Sequence, residues 1–227
     1  MMRYLSGTPY APALTWEHGG LMLTPVMGNR LDLSGVTWAA DNGCYSQGER
    51  FSLRGFLAFL DQRSEYRASC VFAVAPDVPF DAAATWDRSR PVLPLIRERG
   101  YPAALAVQNG IGRVGIAWDE IDAVMIAGDT AFKTSQAARR ICHEATARGK
   151  WVHMARRNSG RAIQSAHDMG ADSCDGTFLR FAPDTNWPRL RRWFDQLCTH
   201  DRLGAWGSDE RFGLCRDCGR QIWRATA

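Results

Sequence analysis

Lysine is almost missing from this chain. Only Lys133 and Lys150 occur, so 26 of its 28 basic residues are arginines. Long apolar runs are missing too, and no stretch approaches the roughly 18 apolar residues that suggest a membrane span. The opening Met1-Met2-Arg3-Tyr4-Leu5-Ser6-Gly7 has no apolar core of signal-peptide length. Repeats, low-complexity tracts and long linkers are lacking. So is an even cysteine count: of seven cysteines, Cys44, Cys70, Cys142 and Cys174 stand singly, which is the pattern of reduced thiols and not of a disulfide framework. The expectation is a cytoplasmic protein, in the host cytoplasm if a phage encodes it, with no membrane partner.

The residues present are those of an ordinary globular protein. Apolar residues make up 45% and charged residues 23%, which excludes disordered, collagenous and coiled-coil classes. A chain of 227 residues suits one domain with a small appendage. It can bury roughly 70% of its unfolded surface and needs no staples. The net charge of +4 is mild. Arginine grips phosphate with a planar fork of donors, although an arginine-rich codon bias explains the excess equally well. The distribution is more informative. Between Arg139 and Arg161 stand Arg139, Arg140, Arg148, Lys150, Arg156, Arg157 and Arg161 against one acid, Glu144, a candidate phosphate footprint.

Short β-branched and aromatic runs predict strands near Arg3–Ser6, Leu21–Pro25, Thr37–Ala40, Ser69–Ala75, Ala103–Val107, Ala123–Ala127, Lys150–Ala155 and Ala171–Cys174. Helical spacing predicts helices over Ser52–Ser64, Asp81–Arg99, Thr134–Arg148, Ser159–Met169 and Trp187–Leu197, with Asp81 and Ser159 as N-caps and Gly100, Gly149 and Gly170 as stops. Strand–helix alternation with eight strands predicts an α/β fold, a minimal (β/α)8 TIM-like barrel over residues 1–198. A doubly wound open sheet is the alternative. A Cys/His-rich appendage packed on the barrel is expected over residues 199–227.

Polar groups gather where the later strands end. The segments are Ala40-Asp41-Asn42-Gly43, Ala75-Pro76-Asp77, Val107-Gln108-Asn109-Gly110, Ala127-Gly128-Asp129, His153 leading into Arg156-Arg157-Asn158, and Asp172-Ser173-Cys174-Asp175-Gly176. In a parallel barrel all such ends face one mouth, where active sites sit. Each residue also has an ordinary explanation as a turn former, a helix cap or, for His153, a structural hydrogen-bonding group. Asp129 divides evenly between pocket and cap, and Asp172 reads as structural. Several carboxylates in one pocket raise one another's pKa, which suits chemistry that pairs a nucleophile with a proton carrier, as in glycosidic cleavage with retention. Metal binding by carboxylates is the competing use.

In order and spacing these segments resemble the tRNA-guanine transglycosylase superfamily, and most closely its short phage and bacterial branch that inserts 7-deazaguanines into DNA. The resemblance covers roughly Thr37 to Trp193. It implies Asp175 as the catalytic nucleophile and Asp41 as the general base. It implies that Asp77 binds the purine N1 and amino edge, Gln108 contacts O6, and Ile126-Ala127-Gly128 lies beside the base. Asp129 and His153 complete the expected substrate-binding set, and Arg156 and Arg157 are expected on phosphates. The implied partners are DNA and a 7-deazaguanine base such as 7-cyano-7-deazaguanine. A homodimer or an accessory protein stays open. Asn42 stands where the tRNA enzymes carry Ser, and the chain is too short for their tRNA-binding insertions, which favours DNA over tRNA. The competing functions are an N-glycosidase using the same nucleophile, a non-catalytic zinc-bearing nucleic-acid-binding accessory and, more distantly, a metal-dependent barrel hydrolase.

Cys215-Arg216-Asp217-Cys218-Gly219 has the form of half a zinc knuckle, and Cys198-Thr199-His200 can supply the other two ligands. Cys198, His200, Cys215 and Cys218 would close a tetrahedral structural Zn2+ site, with ordinary thiols as the alternative. The purified protein is expected to carry about one zinc per chain by metal analysis. A preparation without zinc would remove the site.

Overall fold

The computed structural model describes residues 1–27, 31–197, 203–206, 212–216 and 221–223. Strands β1 (Arg3–Ser6), β2 (Gly19–Leu23), β3 (Trp38–Ala40), β4 (Cys70–Val74), β5 (Ala103–Val107), β6 (Ala123–Ile126), β7 (Trp151–Met154) and β8 (Ser173–Gly176) follow one another round a closed parallel barrel, with β8 paired back onto β1. This closure excludes the open doubly wound sheet. The connections carry helices α1 (Ala11–Leu14), α2 (Cys44–Gln47), α3 (Leu53–Asp61), α4 (Ala82–Ser89), α5 (Leu93–Glu98), α6 (Ile111–Val114), α7 (Thr130–Lys133), α8 (Gln136–Ala147), α9 (Gly160–Asp168) and α10 (Pro183–Asp195).

Local chemistry sets the helix bounds. The side chains of Ser52, Asp81, Asp129, Ser135 and Ser159 each accept a backbone N–H in the first turn of the helix that follows. The single helix expected over Asp81–Arg99 is two helices, α4 and α5, with Pro91 between them. Pro91 has no N–H to donate, and its ring clashes with the carbonyl one turn back, whereas Pro94 is tolerated in the first turn of α5. The last helix starts earlier than the expected Trp187 because Pro183 opens it.

Strand alternation makes two apolar layers. One face of each strand packs against the helices: Leu105 and Val107 on β5, Val124 and Ile126 on β6, Val152 and Met154 on β7. The other face fills the barrel with small residues (Ala39, Ala104, Ala106, Ala123) around the larger Leu5, Met22, Phe72 and Met125. At the amino ends of β6 and β8, Asp122 and Asp172 accept the Ala103 and Val152 N–H groups. Asp172 is therefore structural, as expected.

The basic stretch 139–161 does not form a single footprint. Arg148 and Lys150 lie at the end where β7 starts, and Arg156 lies at the end where it finishes. Arg148 is also engaged, bridging Glu144 at 3.0 Å. In the tail, β9 (Leu203–Trp206), β10 (Phe212–Cys215) and β11 (Gln221–Trp223) form an antiparallel sheet. Cys215 is buried at the end of β10, while Cys198, His200 and Cys218 lie outside the described residues. Among the described residues no helix is long and apolar enough to cross a membrane.

Phe72 is fully buried inside the barrel, its ring centroid 5.1 Å from that of His153. Phe72→Ala is expected to cost about 3–5 kcal/mol, read as a lower urea midpoint. A loss below about 1 kcal/mol would mean the interior is not close-packed there.

Candidate active site

The strand parity that fills the barrel also builds its mouth. Residues two positions past an inward side chain point inward again. Asp41 follows Ala39, Gln108 follows Ala106, Ala127 follows Met125, Ala155 follows His153 and Asp175 follows Ser173. With Asp77, Asn42, Tyr45, Pro79 and Arg156 they line one pocket floored by Met22 and Met125. Its empty space is about 560 Å³, open solvent at the mouth included.

Asp175, next to last in β8, lines this pocket. Its Oδ1 accepts from His153 Nε2 at 3.1 Å and from the Arg156 N–H at 2.7 Å. Among the described residues no hydrogen bond is made to Oδ2. The support continues inward: Ser173 Oγ lies 2.9 Å from His153 Nδ1 and accepts from Trp151 Nε1 at 2.8 Å. With Nε2 protonated, every group in this line has a role: Trp151 donates to Ser173, Ser173 to His153, and His153 to Asp175. Burial opposes ionisation of Asp175. The His153 hydrogen bond, the Arg156 N–H and the Lys133 ammonium outweigh it and hold the carboxyl below its usual range.

Asp77 and Gln108 form the opposite wall. Asp77 is buried, and each of its oxygens accepts one amide: Oδ1 from Asn42 Nδ2 at 3.0 Å, Oδ2 from Gln108 Nε2 at 2.7 Å. Gln108 Oε1 accepts the Phe80 and Gly128 N–H groups at 3.0 and 2.9 Å. The carboxamide is thereby locked, with Nε2 as its donor face. Burial raises the Asp77 pKa, although both amides oppose the shift. Gly128 sits at φ 55°, and a Cβ there would lie 2.6 Å from the Phe132 ring. Glycine is required there to bring this N–H onto Gln108.

Asp41 is the third carboxylate. Its Oδ1 accepts the Gly43 N–H at 2.9 Å, a turn that Gly43 closes at φ 79°. Burial above all, with the Asp175 and Asp77 charges adding, pushes it up to about 6 against the opposing Gly43 hydrogen bond.

Asp41, Asp77, Gln108, Arg156 and Asp175 thus meet, as the strand ends predict. Other expectations are corrected. His153 is fully buried under Asp175, so it supports a site residue and cannot touch a ligand. Asp129 lies outside the pocket lining; it caps α7 by accepting the Phe132 N–H and bonds Asn109. Gly128 acts through Gln108. Arg157 is 3% exposed and turns Nε onto the Ala155 carbonyl, out of reach of an external phosphate. The cause lies at Arg156, whose φ of 57° turns the chain so that its own N–H meets Asp175 and the next side chain goes inward.

Three further residues, given no site role from the sequence, support the pocket. Asn42 donates to Asp77 and the Ala75 carbonyl and accepts the Cys44 N–H, so it holds the Asp77 wall in place. Tyr45 stands at the mouth under the Arg156 guanidinium. Lys133 is 5% exposed and donates to the Ala155 carbonyl at 3.3 Å. Burial, then Arg157 and Arg156, push it down to about 8. Its signal was available, since it is one of only two lysines in an arginine-using chain.

No family model matches the chain, and no curated protein matches it. Among the described residues no group of three or more His, Cys, Asp or Glu is placed to hold a metal ion.

Asp41 yields a stability prediction. Its folded pKa lies above the unfolded value of 3.8, so the associated stability is complete below pH 3.8 and lost as the pH rises through about 6. Asp41→Asn is expected to stabilise the fold at pH 7 by on the order of 2 kcal/mol, a gain that fades by about pH 4. Chemical denaturation at both pH values checks this. An equal effect at both would disprove the raised pKa.

Proposed function

We propose that the protein is a base-exchange transglycosylase that replaces guanine in DNA with a 7-deazaguanine through a covalent Asp175–deoxyribose intermediate. The observation that carries this reading is one pocket holding the hydrogen-bonded Asp175 carboxylate, the Asp41 carboxyl and a fixed carboxylate–carboxamide pair. The pair suits the guanine edge: Asp77 accepts from N1–H and the 2-amino group, and Gln108 Nε2 donates to O6. Order and spacing of the strand-end segments support the transglycosylase assignment.

In the first half, Asp175 Oδ2 attacks C1′ of the nucleotide. The C1′–N9 bond breaks, its electron pair leaves with guanine, and Asp41 in its acid form supplies the N9 proton. In the second half, Asp41 takes the N9 proton of the incoming deazaguanine. The base attacks C1′ and the ester to Asp175 breaks, with net retention. The two carboxyls are coupled through charge. Ionised Asp175 raises the Asp41 pKa. Esterification removes that charge and makes Asp41 a better proton donor as guanine leaves. When the ester breaks, the charge returns and Asp41 becomes a better base as it takes the N9 proton. The target base must leave the stack, at about a few kcal/mol. Arg156, exposed at the mouth, would meet a flanking phosphate. Cys198, His200, Cys215 and Cys218 are proposed to hold a structural Zn2+ outside the reaction.

Asp175→Ala is expected to abolish exchange of labelled guanine into DNA and the covalent protein–DNA adduct trapped on denaturing gels. Full exchange by this variant would overturn the assignment. Guanine release without a need for added base would make the protein a hydrolase. The rate constant kcat/KM for the incoming base should rise with pH to a plateau, with its inflection below about 6, because the Asp175 ester carries no charge. Asp41→Asn should remove that limb.

A further inference from the structure

The mouth of the barrel carries a feature that the exchange chemistry leaves unused. Six large apolar side chains are exposed among the described residues, and four stand beyond the carboxyl ends of strands: Val26 after β2, Tyr45 on α2 after β3, Phe80 after β4 and Phe181 after β8. Exposed apolar groups gathered around one opening mark a binding face, whereas scattered ones mean little.

These rings come with charge. The Arg156 guanidinium lies 4.8 Å from the Tyr45 ring centroid, and that of Arg180 lies 5.9 Å from Phe181. Neither arginine forms an ion pair among the described residues. Val26, Tyr45, Arg156 and Arg180 line one groove that runs out from Asp41 and Asp175, with about 1540 Å³ of empty space, open solvent included. Phe80 stands next to Pro79 of the pocket wall at φ 68°, a conformation that bulky residues rarely adopt. Its N–H bond to Gln108 holds it there.

We propose that this rim binds single-stranded DNA: Tyr45, Phe80 and Phe181 stack the bases flanking the one in the pocket, while Arg156 and Arg180 meet the phosphates. The proposal rests on the DNA reading above and narrows its substrate. Ring faces beside unpaired arginines are the combination that holds single strands, because every unpaired base offers a π-face and every link a phosphate. A duplex hides its base faces in the stack and would set these rings against the sugar–phosphate backbone.

The test is fluorescence anisotropy on the full chain, with a short labelled oligodeoxynucleotide containing one guanine, its duplex, and RNA of the same sequence. The single DNA strand should bind about tenfold more tightly than the duplex, and Tyr45→Ala, Phe80→Ala and Phe181→Ala should each weaken it about tenfold. Phe181→Leu, which keeps apolar bulk without a ring face, should behave like alanine. Arg180→Gln should reduce the slope of log affinity on log salt by about 0.7. Equal or tighter binding of the duplex or the RNA, or unchanged binding by the alanine variants, would overturn the proposal. Exchange assayed in the same oligonucleotides keeps the two readings apart. Exchange without single-strand preference defeats the rim alone. Single-strand preference without exchange defeats the chemistry alone.

Discussion

Closing eight parallel strands into a ring turns every second residue of each strand inward, and the top inward position of each strand opens on one mouth. The site depends on that constraint. Apolar residues occupy most of the lower inward positions, with His153 on β7 and Ser173 on β8 as the polar ones below Asp175. At the top the same parity delivers Asp41, Gln108, Ala127, Ala155 and Asp175. Shifting any of these strands by one residue would turn its polar end into the helix layer and bring an outward apolar residue into the pocket. The fold's register and the site's chemistry are therefore one specification.

Bringing three carboxylates together creates an electrostatic problem, which the structure resolves by giving each a different environment. Asp175 receives donors and stays ionised. Its support is deep, since Trp151, Ser173 and His153 stand in line behind it in the barrel interior. Asp77 is buried but has both oxygens occupied by amides. Asp41 has one backbone donor, and burial with two like charges sets it near 6. A set of identical side chains thereby acquires distinct acid strengths, and the charge on Asp175 links the first to the third.

The architecture was legible because alternation and capping are local. β1 and β5 fall at the expected bounds, and Asp81 and Ser159 cap as the sequence indicates. β8 was displaced, expected over Ala171–Cys174 and found at Ser173–Gly176, because its inward residues are polar and hydropathy alone does not recognise them. The strand-end carboxylates were legible as a set. Their individual fates were not, because those depend on partners distant in sequence. Asp129 and Asp41 look alike in the chain, and only the neighbouring loops make one a cap and the other a pocket wall. Arg156 and Arg157 look like a pair, but a single left-handed residue sends one outward and the other inward.

The scarcity of lysine now has structural content. An ammonium is a compact point charge on a flexible stem, which fits a confined space beside a broader guanidinium such as that of the buried Arg157. Lys133 occupies such a space. Its Nζ holds the Ala155 carbonyl, and the N–H of that same peptide group, on Arg156, meets Asp175. Lys133 therefore serves Asp175 twice, once through its field and once by pinning the turn that carries a donor to it. Burial, then crowding by Arg157 and Arg156, weakens its hold on the proton, and the Asp175 charge strengthens it. The ammonium, the left-handed turn and the ionised carboxylate form one unit, and the carboxylate is the part of that unit open to the pocket.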